Sequence, residues 1–223
     1  MKLSVIVPVF NEEKTVAQIL KKLAGVKVVS EIIVVDDGST DHTWQAIQPL
    51  KLKKIKAYQK LNGGKGSAVR YGLTKVTGDH VMIQDADLEY DPEDIPVLVE
   101  AAKKDRIEVV YGSRFLGAHS NLLFWHRAGN FFLNFLLNLL YNTTLSDMEI
   151  CYKLMPTELM KSLELKADKF DLEPEITCKI LKKDINIFEV PITYVGRSFE
   201  EGKKITWKDG VSALITIVRL KFV

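Results

Sequence analysis

Leu3-Ser4-Val5-Ile6-Val7-Pro8-Val9-Phe10, a helix-patterned stretch over residues 12–23, and then Glu31-Ile32-Ile33-Val34-Val35-Asp36 form the passage from which the fold is read. Both apolar runs are short and rich in β-branched residues, as strands covered on both faces are. Working outward, similar runs return at 54–58, 80–84 and 109–113, with helical patterns between them at 40–50, 66–76 and 92–104. Asn11 stands where the first helix would take its N-cap, and Pro92 suits the first turn of the last. Strand–helix alternation at this spacing predicts βαβ units, that is, an α/β fold with a mostly parallel central sheet flanked by helices. In such sheets ligands bind beyond the carboxyl ends of the strands, so the loops that follow them decide function.

The second half changes character. A long apolar helix is predicted over 122–141, a strand over 149–155, a helix over 174–183, a strand over 185–194 and a terminal helix over 207–223. No repeat or low-complexity linker divides the chain, which predicts one domain over 1–223. With 47% hydrophobic residues among 223, it can bury a substantial core. The 31 Lys+Arg are balanced by 29 Asp+Glu, so charge gives no sign of a nucleic-acid partner. Cys151 and Cys178 form no close-spaced pair and read as buried thiols of a reducing compartment. The apolar start is too short for a signal peptide, and the expected location is cytoplasmic.

The run at 80–84 passes directly into Asp85-Ala86-Asp87-Leu88-Glu89. In an extended chain, residues two apart share a side, so these carboxylates can converge on one point. Clustered carboxylates repel one another and invite a cation. A few hard oxygen ligands suit Mg²⁺ or Mn²⁺, with substrate phosphates and water completing the shell. The competing reading is a solvated acidic loop capping the next helix, a role that Glu93 and Asp94 fill. A calcium-binding EF-hand loop fails, because Tyr90 and Pro96 stand where Gly and Glu are needed. The four histidines lack zinc-like spacing to other ligands.

Asp36-Asp37-Gly38-Ser39-Thr40-Asp41 follows the second strand. A turn and a helix N-cap account for Ser39, Thr40 and Asp41, and leave Asp37 as a candidate acceptor for a base or ribose. Pro8, Asn11 and Glu12 form a second candidate wall. Asn62-Gly63-Gly64-Lys65-Gly66-Ser67-Ala68 is a glycine-rich turn entering a helix, open to reading as an anion site or as a plain turn. It is not a Walker loop, since Gly66 follows Lys65, nor a dinucleotide fingerprint, since Val69 stands where the third glycine belongs.

In order and spacing, Ile6-Val7-Pro8-Val9-Phe10-Asn11-Glu12-Glu13, Val35 through Asp41, Asn62 through Gly66 and Gln84 through Glu89 resemble the successive motifs of glycosyltransferase family 2. Within it the chain is most similar to dolichyl- or polyprenyl-phosphate hexose synthases. Gly112-Ser113-Arg114-Phe115, Ser146-Asp147-Met148-Glu149-Ile150-Cys151-Tyr152-Lys153 and Glu173-Pro174-Glu175-Ile176 support the resemblance. It implies a GT-A fold, with a nucleotide-binding part over about 1–115 and an acceptor-side part over about 116–223. It implies an inverting transfer from a nucleotide-diphosphate sugar, with GDP-mannose favoured and UDP-glucose the alternative. Carried over, the nucleotide site comprises Pro8, Asn11, Glu12, Asp37, Lys65, Asp85 and Ala86. Asp85, Asp87 and Glu89 would hold Mg²⁺ or Mn²⁺. Arg114, Arg197, Lys203 and Lys204 would clamp phosphates, and Asp147 would lie near the acceptor. Asp87, Arg114 and Asp147 then stand nearest the chemistry. The Gln-x-x-Arg-Trp motif of processive synthases is absent.

A phosphate monoester has a second pKa of about 6, so a lipid-phosphate acceptor arrives already ionised and needs positioning more than a base. In that case Asp147 would orient an Arg or Lys. A saccharide or other hydroxyl acceptor would instead make Asp147 a general-base candidate. A reading from another class is a non-catalytic binder of nucleotide sugars or lipid phosphates.

The 122–141 stretch bears on this choice: 14 of its 20 residues are Leu, Phe, Trp, Ala or Tyr, while Arg127, Asn130, Asn134 and Asn138 make one narrow polar stripe. The competing expectations are a core helix and a helix lying at a bilayer surface or lining a lipid groove. Between Arg197 and Val223, six Lys/Arg face three Asp/Glu, a basic end that suits an anionic membrane. The expected location is therefore peripheral, at the cytosolic face of a membrane.

Overall fold

The computed structural model describes residues 1–50, 52–120, 124–197 and 206–223. The elements run β1 (Leu3–Val9), α1 (Val16–Gly25), β2 (Val29–Asp36), α2 (Thr43–Ile47), β3 (Ile55–Gln59), α3 (Lys65–Leu73) and β4 (His80–Ile83). A 3-10 turn (Pro92–Asp94) leads into α4 (Ile95–Ala102), β5 (Val109–Ser113), β6 (His119–Ser120), α5 (Phe124–Tyr141) and β7 (Lys153–Pro156). Then come α6 (Thr157–Ser162), α7 (Leu172–Leu181), β8 (Ile187–Pro191), β9 (Tyr194–Val195) and α8 (Trp207–Phe222).

Seven strands form one sheet in the order β3-β2-β1-β4-β7-β5-β8. β1 pairs in parallel with β2 and β4, β2 with β3, and β5 with β8, while β7 runs antiparallel between β4 and β5. The mostly parallel α/β sheet expected from the alternation is present, with its single reversal at β7. The carboxyl ends of β1, β2 and β4 lie side by side, which gathers the three loops singled out in the sequence.

Local departures have local causes. α1 starts at Val16, and Asn11 is not its cap: at φ 51° Asn11 turns the chain, and its Oδ1 accepts the Thr40 N–H at 2.8 Å. Such turns suit asparagine, whose short polar side chain tolerates the left-handed region. β3 is one of the sheet's two edge strands and leaves Lys56, Ala57 and Gln59 exposed, unlike β1 and β2. The strand expected over 185–194 is divided, because β9 leaves the large sheet to pair with β6.

The predicted long helix is α5, and it is apolar on both sides: leucines and one asparagine face in, while aromatic residues face out. Its buried residues are Leu133, Asn134 and Leu137. Asn134 Nδ2 donates to Ser146 O at 3.0 Å and its Oδ1 accepts the Met148 N–H at 2.8 Å. Asn138 likewise donates to Leu145 O at 2.8 Å and accepts the Leu145 N–H at 3.0 Å. The backbone at 145–148 has no strand partner, and these amides satisfy it. The outward side carries Phe124, Trp125, Phe131, Phe132, Phe135 and Leu139, each more than half exposed. α8 packs on α5 through a small cluster that includes Ala213, Ile217, Leu133 and Leu137, and it exposes Trp207, Val211, Ile215 and Phe222. Among the described residues no helix is long and apolar enough to cross a membrane.

Candidate active site

A cavity of about 570 Å³ lies over the carboxyl ends of β1, β2 and β4. Pro8 and Glu12 line it after β1, Asp37 after β2, Lys65 at the start of α3, and Asp85, Ala86, Asp87 and Glu89 after β4. Arg114, Glu149, Glu173 and Arg197 complete the polar lining, and Trp125, Asn130 and Trp207 bring α5 and α8 to it.

The glycine-rich turn is held by the protein's own anion. Asp37, 2% exposed, receives Lys60 Nζ at 2.6 Å, the Gly63 N–H at 3.1 Å and the Gly64 N–H at 2.7 Å. Those amides therefore point at Asp37, so the part of the loop offered as an external anion site is already committed. Gly64 has φ 93°, and a side chain at Gly64 or Gly66 would run into the backbone of Asp168 or Ala167. The turn thereby places Lys65, whose Nζ lies 2.8 Å from Asp85 Oδ1 and 3.1 Å from Glu173 Oε1. Burial would drive the proton off Lys65, but Asp85 and Glu173 outweigh it and keep the ammonium charged.

After β4 the chain is not extended: Leu88 has φ 65° and the Glu89 N–H returns to Asp87 Oδ1 at 3.1 Å. Glu89 turns toward β9, accepting from Tyr194 Oη at 2.8 Å and from the Arg197 N–H at 2.8 Å. Arg197 Nη2 lies 3.3 Å from Asp87 Oδ2, and its Nη1 lies 3.2 Å from Glu12 Oε2. Burial, reinforced by Asp85 and Glu89 and opposed by Arg197, pushes the Asp87 carboxyl up to about 7. Among the described residues no three carboxylate, His or Cys side chains are disposed to hold a metal ion together. What the loop offers is the pair Asp85 and Asp87 with negative charge in excess. That donor set fits a hard divalent cation whose remaining positions a diphosphate and water would fill.

Asp147 is fully buried and does not line the cavity. It receives Arg114 Nε at 2.8 Å, Nη2 at 2.7 Å and the Arg114 N–H at 3.0 Å. The guanidinium of Arg114 in turn faces the Tyr194 ring at 5.3 Å. Below it, Lys153 Nζ, buried, meets Glu173 Oε2 at 2.5 Å.

Residues 4–163 match the profile of "Glycosyl transferase family 2". The chain belongs to glycosyl transferase family 2. It is 31% identical over 213 residues to the dolichol-phosphate mannosyltransferase of Pyrococcus furiosus, covering 91% of this chain and 59% of that protein. It is 26% identical over 207 residues to the dodecaprenyl-phosphate galacturonate synthase of Rhizobium johnstonii, covering 88% of this chain and 60% of that protein. The chain thus spans about three-fifths of the length of these relatives. In fold it matches the glucosyl-3-phosphoglycerate synthase of Mycobacterium tuberculosis, with a TM-score of 0.79 at 20% identity, over 100% of this chain and 80% of that one. That enzyme was solved with Mn²⁺, uridine diphosphate and glucosyl-3-phosphoglycerate.

Of the positions the family 2 resemblance points to, Pro8, Glu12, Asp37, Lys65, Asp85, Ala86, Asp87, Glu89, Arg114 and Arg197 share one cavity. Asn11 does not line it, being spent on Thr40. Lys203 and Lys204 lie outside the described residues. Sequence reasoning gave no role to Glu149 and Glu173, although both stand inside quoted motifs. The available signal was a charged residue amid apolar neighbours, Met148-Glu149-Ile150 and Leu172-Glu173-Pro174.

Proposed function

We propose that this family 2 domain transfers a hexose, with inversion, from a nucleotide-diphosphate sugar to a polyprenyl phosphate at the cytosolic face of a membrane. GDP-mannose is the favoured donor and UDP-glucose the alternative. The observation that carries the reading is the junction of an acidic, cation-seeking loop with a helix whose apolar face is turned outward beside the same cavity. Trp125 and Trp207 line that cavity while standing 80% and 76% exposed. Aromatic side chains with one wet and one apolar side favour a membrane interface. The names of the Pyrococcus and Rhizobium relatives, each built on a polyprenyl phosphate, support the acceptor class.

In this reading Asp85 and Asp87 would hold Mg²⁺ or Mn²⁺, which would supply positive charge against the diphosphate leaving group. Lys65 and Arg197, now paired with those carboxylates, are placed to turn to phosphate oxygens. Arg114, fixed by Asp147, presents a cation to the acceptor phosphate. A phosphate nucleophile needs no base, and Asp147, closed on Arg114, has no lone role as one. The hydroxyl-acceptor reading therefore loses Asp147 as its base.

The test is incubation with short-chain polyprenyl phosphate, Mn²⁺ or Mg²⁺, and GDP-mannose or UDP-glucose in separate tubes, assayed for glycolipid and freed nucleoside diphosphate. Product in one tube, lost with EDTA, supports the proposal. Nucleotide binding without product in any tube rejects it in favour of another acceptor or donor, or of a binder that does not turn over.

A further inference from the structure

Among the described residues two buried carboxylate oxygens have no hydrogen-bond partner, Glu149 Oε1 and Glu173 Oε1. Both residues line the same cavity. Glu173 is ion-paired, its Oε1 lying 3.1 Å from Lys65 Nζ. The cations around Glu149 are spent elsewhere: Arg114 is closed on Asp147, and Lys153 on Glu173. A buried acceptor left unmade forfeits its hydration with no return, and folded proteins keep few such groups. One that faces a ligand cavity is explained when the ligand brings the donor.

We infer that Glu149 reads the transferred sugar: it accepts hydrogen bonds from hydroxyls of a neutral hexose and, with Glu173, turns away donors whose sugar carries a carboxylate. The inference rests on the nucleotide-sugar reading above. A hexose brings several hydroxyl donors and no charge. A uronate would bring a further anion to a wall that already holds Glu149, Glu173 and Asp85. Burial holds the Glu149 carboxyl up at about 7 against the pull of Lys153 and Arg114, as for a group that the fold itself leaves unsatisfied. A site built to pair a hydroxyl discriminates far more sharply than one that merely fits a shape.

The test compares wild type, Glu149→Gln and Glu149→Ala in Mn²⁺ by calorimetry and by initial rates. Two ligand series run in parallel: UDP, UDP-glucose and UDP-glucuronate, and GDP, GDP-mannose and GDP-mannuronate. For the hexose donor, KM should rise about 10–100-fold in Glu149→Ala, with affinity for the nucleoside diphosphate alone unchanged. The preference for hexose over uronate should fall in both variants, more than KM rises in Glu149→Gln. Melting temperature should hold or rise, because the unpaired carboxyl is gone, whereas a structural Glu149 would lower it. Nucleotide binding with unchanged KM and unchanged uronate discrimination overturns the inference while leaving the donor reading intact. Loss of turnover with KM unchanged also overturns it, assigning Glu149 to the acceptor side. Absence of nucleotide binding in wild type overturns the donor reading, and this inference with it.

Discussion

Arg114 and Asp147 form a two-point ion pair beneath the cavity, Nη2 to Oδ1 at 2.7 Å and Nε to Oδ2 at 2.8 Å, with Asp147 fully buried. The fork of a guanidinium matches a carboxylate in this way, and it fixes the direction in which Arg114 faces. Asp147→Ala should cost about 3–5 kcal/mol, because it leaves a buried charge uncompensated. Replacing both residues, Arg114→Leu with Asp147→Leu, should restore much of that stability and none of the turnover. Denaturant melts and initial rates read the two effects separately; a double variant that also regains turnover would remove Arg114 from the reaction.

Asp87 is a carboxylate that the fold disfavours in its ionised form, buried beside Asp85 and Glu89. Asp87→Ala should leave the melting temperature unchanged or raised, since a repelled anion is removed. It should weaken Mn²⁺-dependent nucleoside diphosphate binding by at least the roughly 10–100-fold that loss of a supporting partner costs a metal site. Calorimetry with GDP and with UDP, with and without Mn²⁺, checks it. Metal dependence that survives in Asp87→Ala would move the cation elsewhere.

Short, continuous β-branched runs and the loops behind them made the parallel half of the sheet legible, because β1, β2 and β4 are strands buried on both faces. What stayed hidden is set by contacts far apart in the chain. Asp37 looks like a residue awaiting a base until residues 60–64 fold over it. Glu89 belongs by spacing with Asp85 and Asp87, yet Tyr194, 105 residues on, claims it. Periodicity found the stripe on α5 without saying which side faces in. A polar stripe normally faces water; here Asn134 and Asn138 face in because the backbone of 145–148 needs their amides.

Glu31 offers a pH test away from the cavity. It accepts from Ser4 Oγ at 2.7 Å, the Thr77 N–H at 2.9 Å and Lys56 Nζ at 2.7 Å. Burial alone would raise its pKa, but Lys56, Thr77 and Ser4 together bring it down from 4.5 to about 2. A folded pKa below the unfolded one gives stability that is complete above about 4.5 and is lost as pH falls toward about 2. Glu31→Gln should cost roughly 2 kcal/mol at pH 7, and the gap from wild type should close across that window. Melts at stepped pH test it, and a gap that persists at pH 2 would show that Glu31 acts through shape rather than charge.

Helix α5 gives a sharp contrast between two faces of one element. Phe131→Asp with Phe135→Asp alters side chains 73% and 56% exposed, so stability should shift by no more than about 0.5 kcal/mol per site. Binding to vesicles containing anionic lipid should fall strongly, because the apolar face that would enter the headgroup layer now carries charge. Asn134→Ala should do the reverse. It leaves the Met148 N–H without its 2.8 Å partner, costing about 1–3 kcal/mol, while the outer face and vesicle binding stay intact. Co-sedimentation with vesicles and thermal melts on the same three proteins separate the effects. Vesicle binding undiminished in the Phe131/Phe135 variant would mean that the exposed face of α5 is not what meets the membrane.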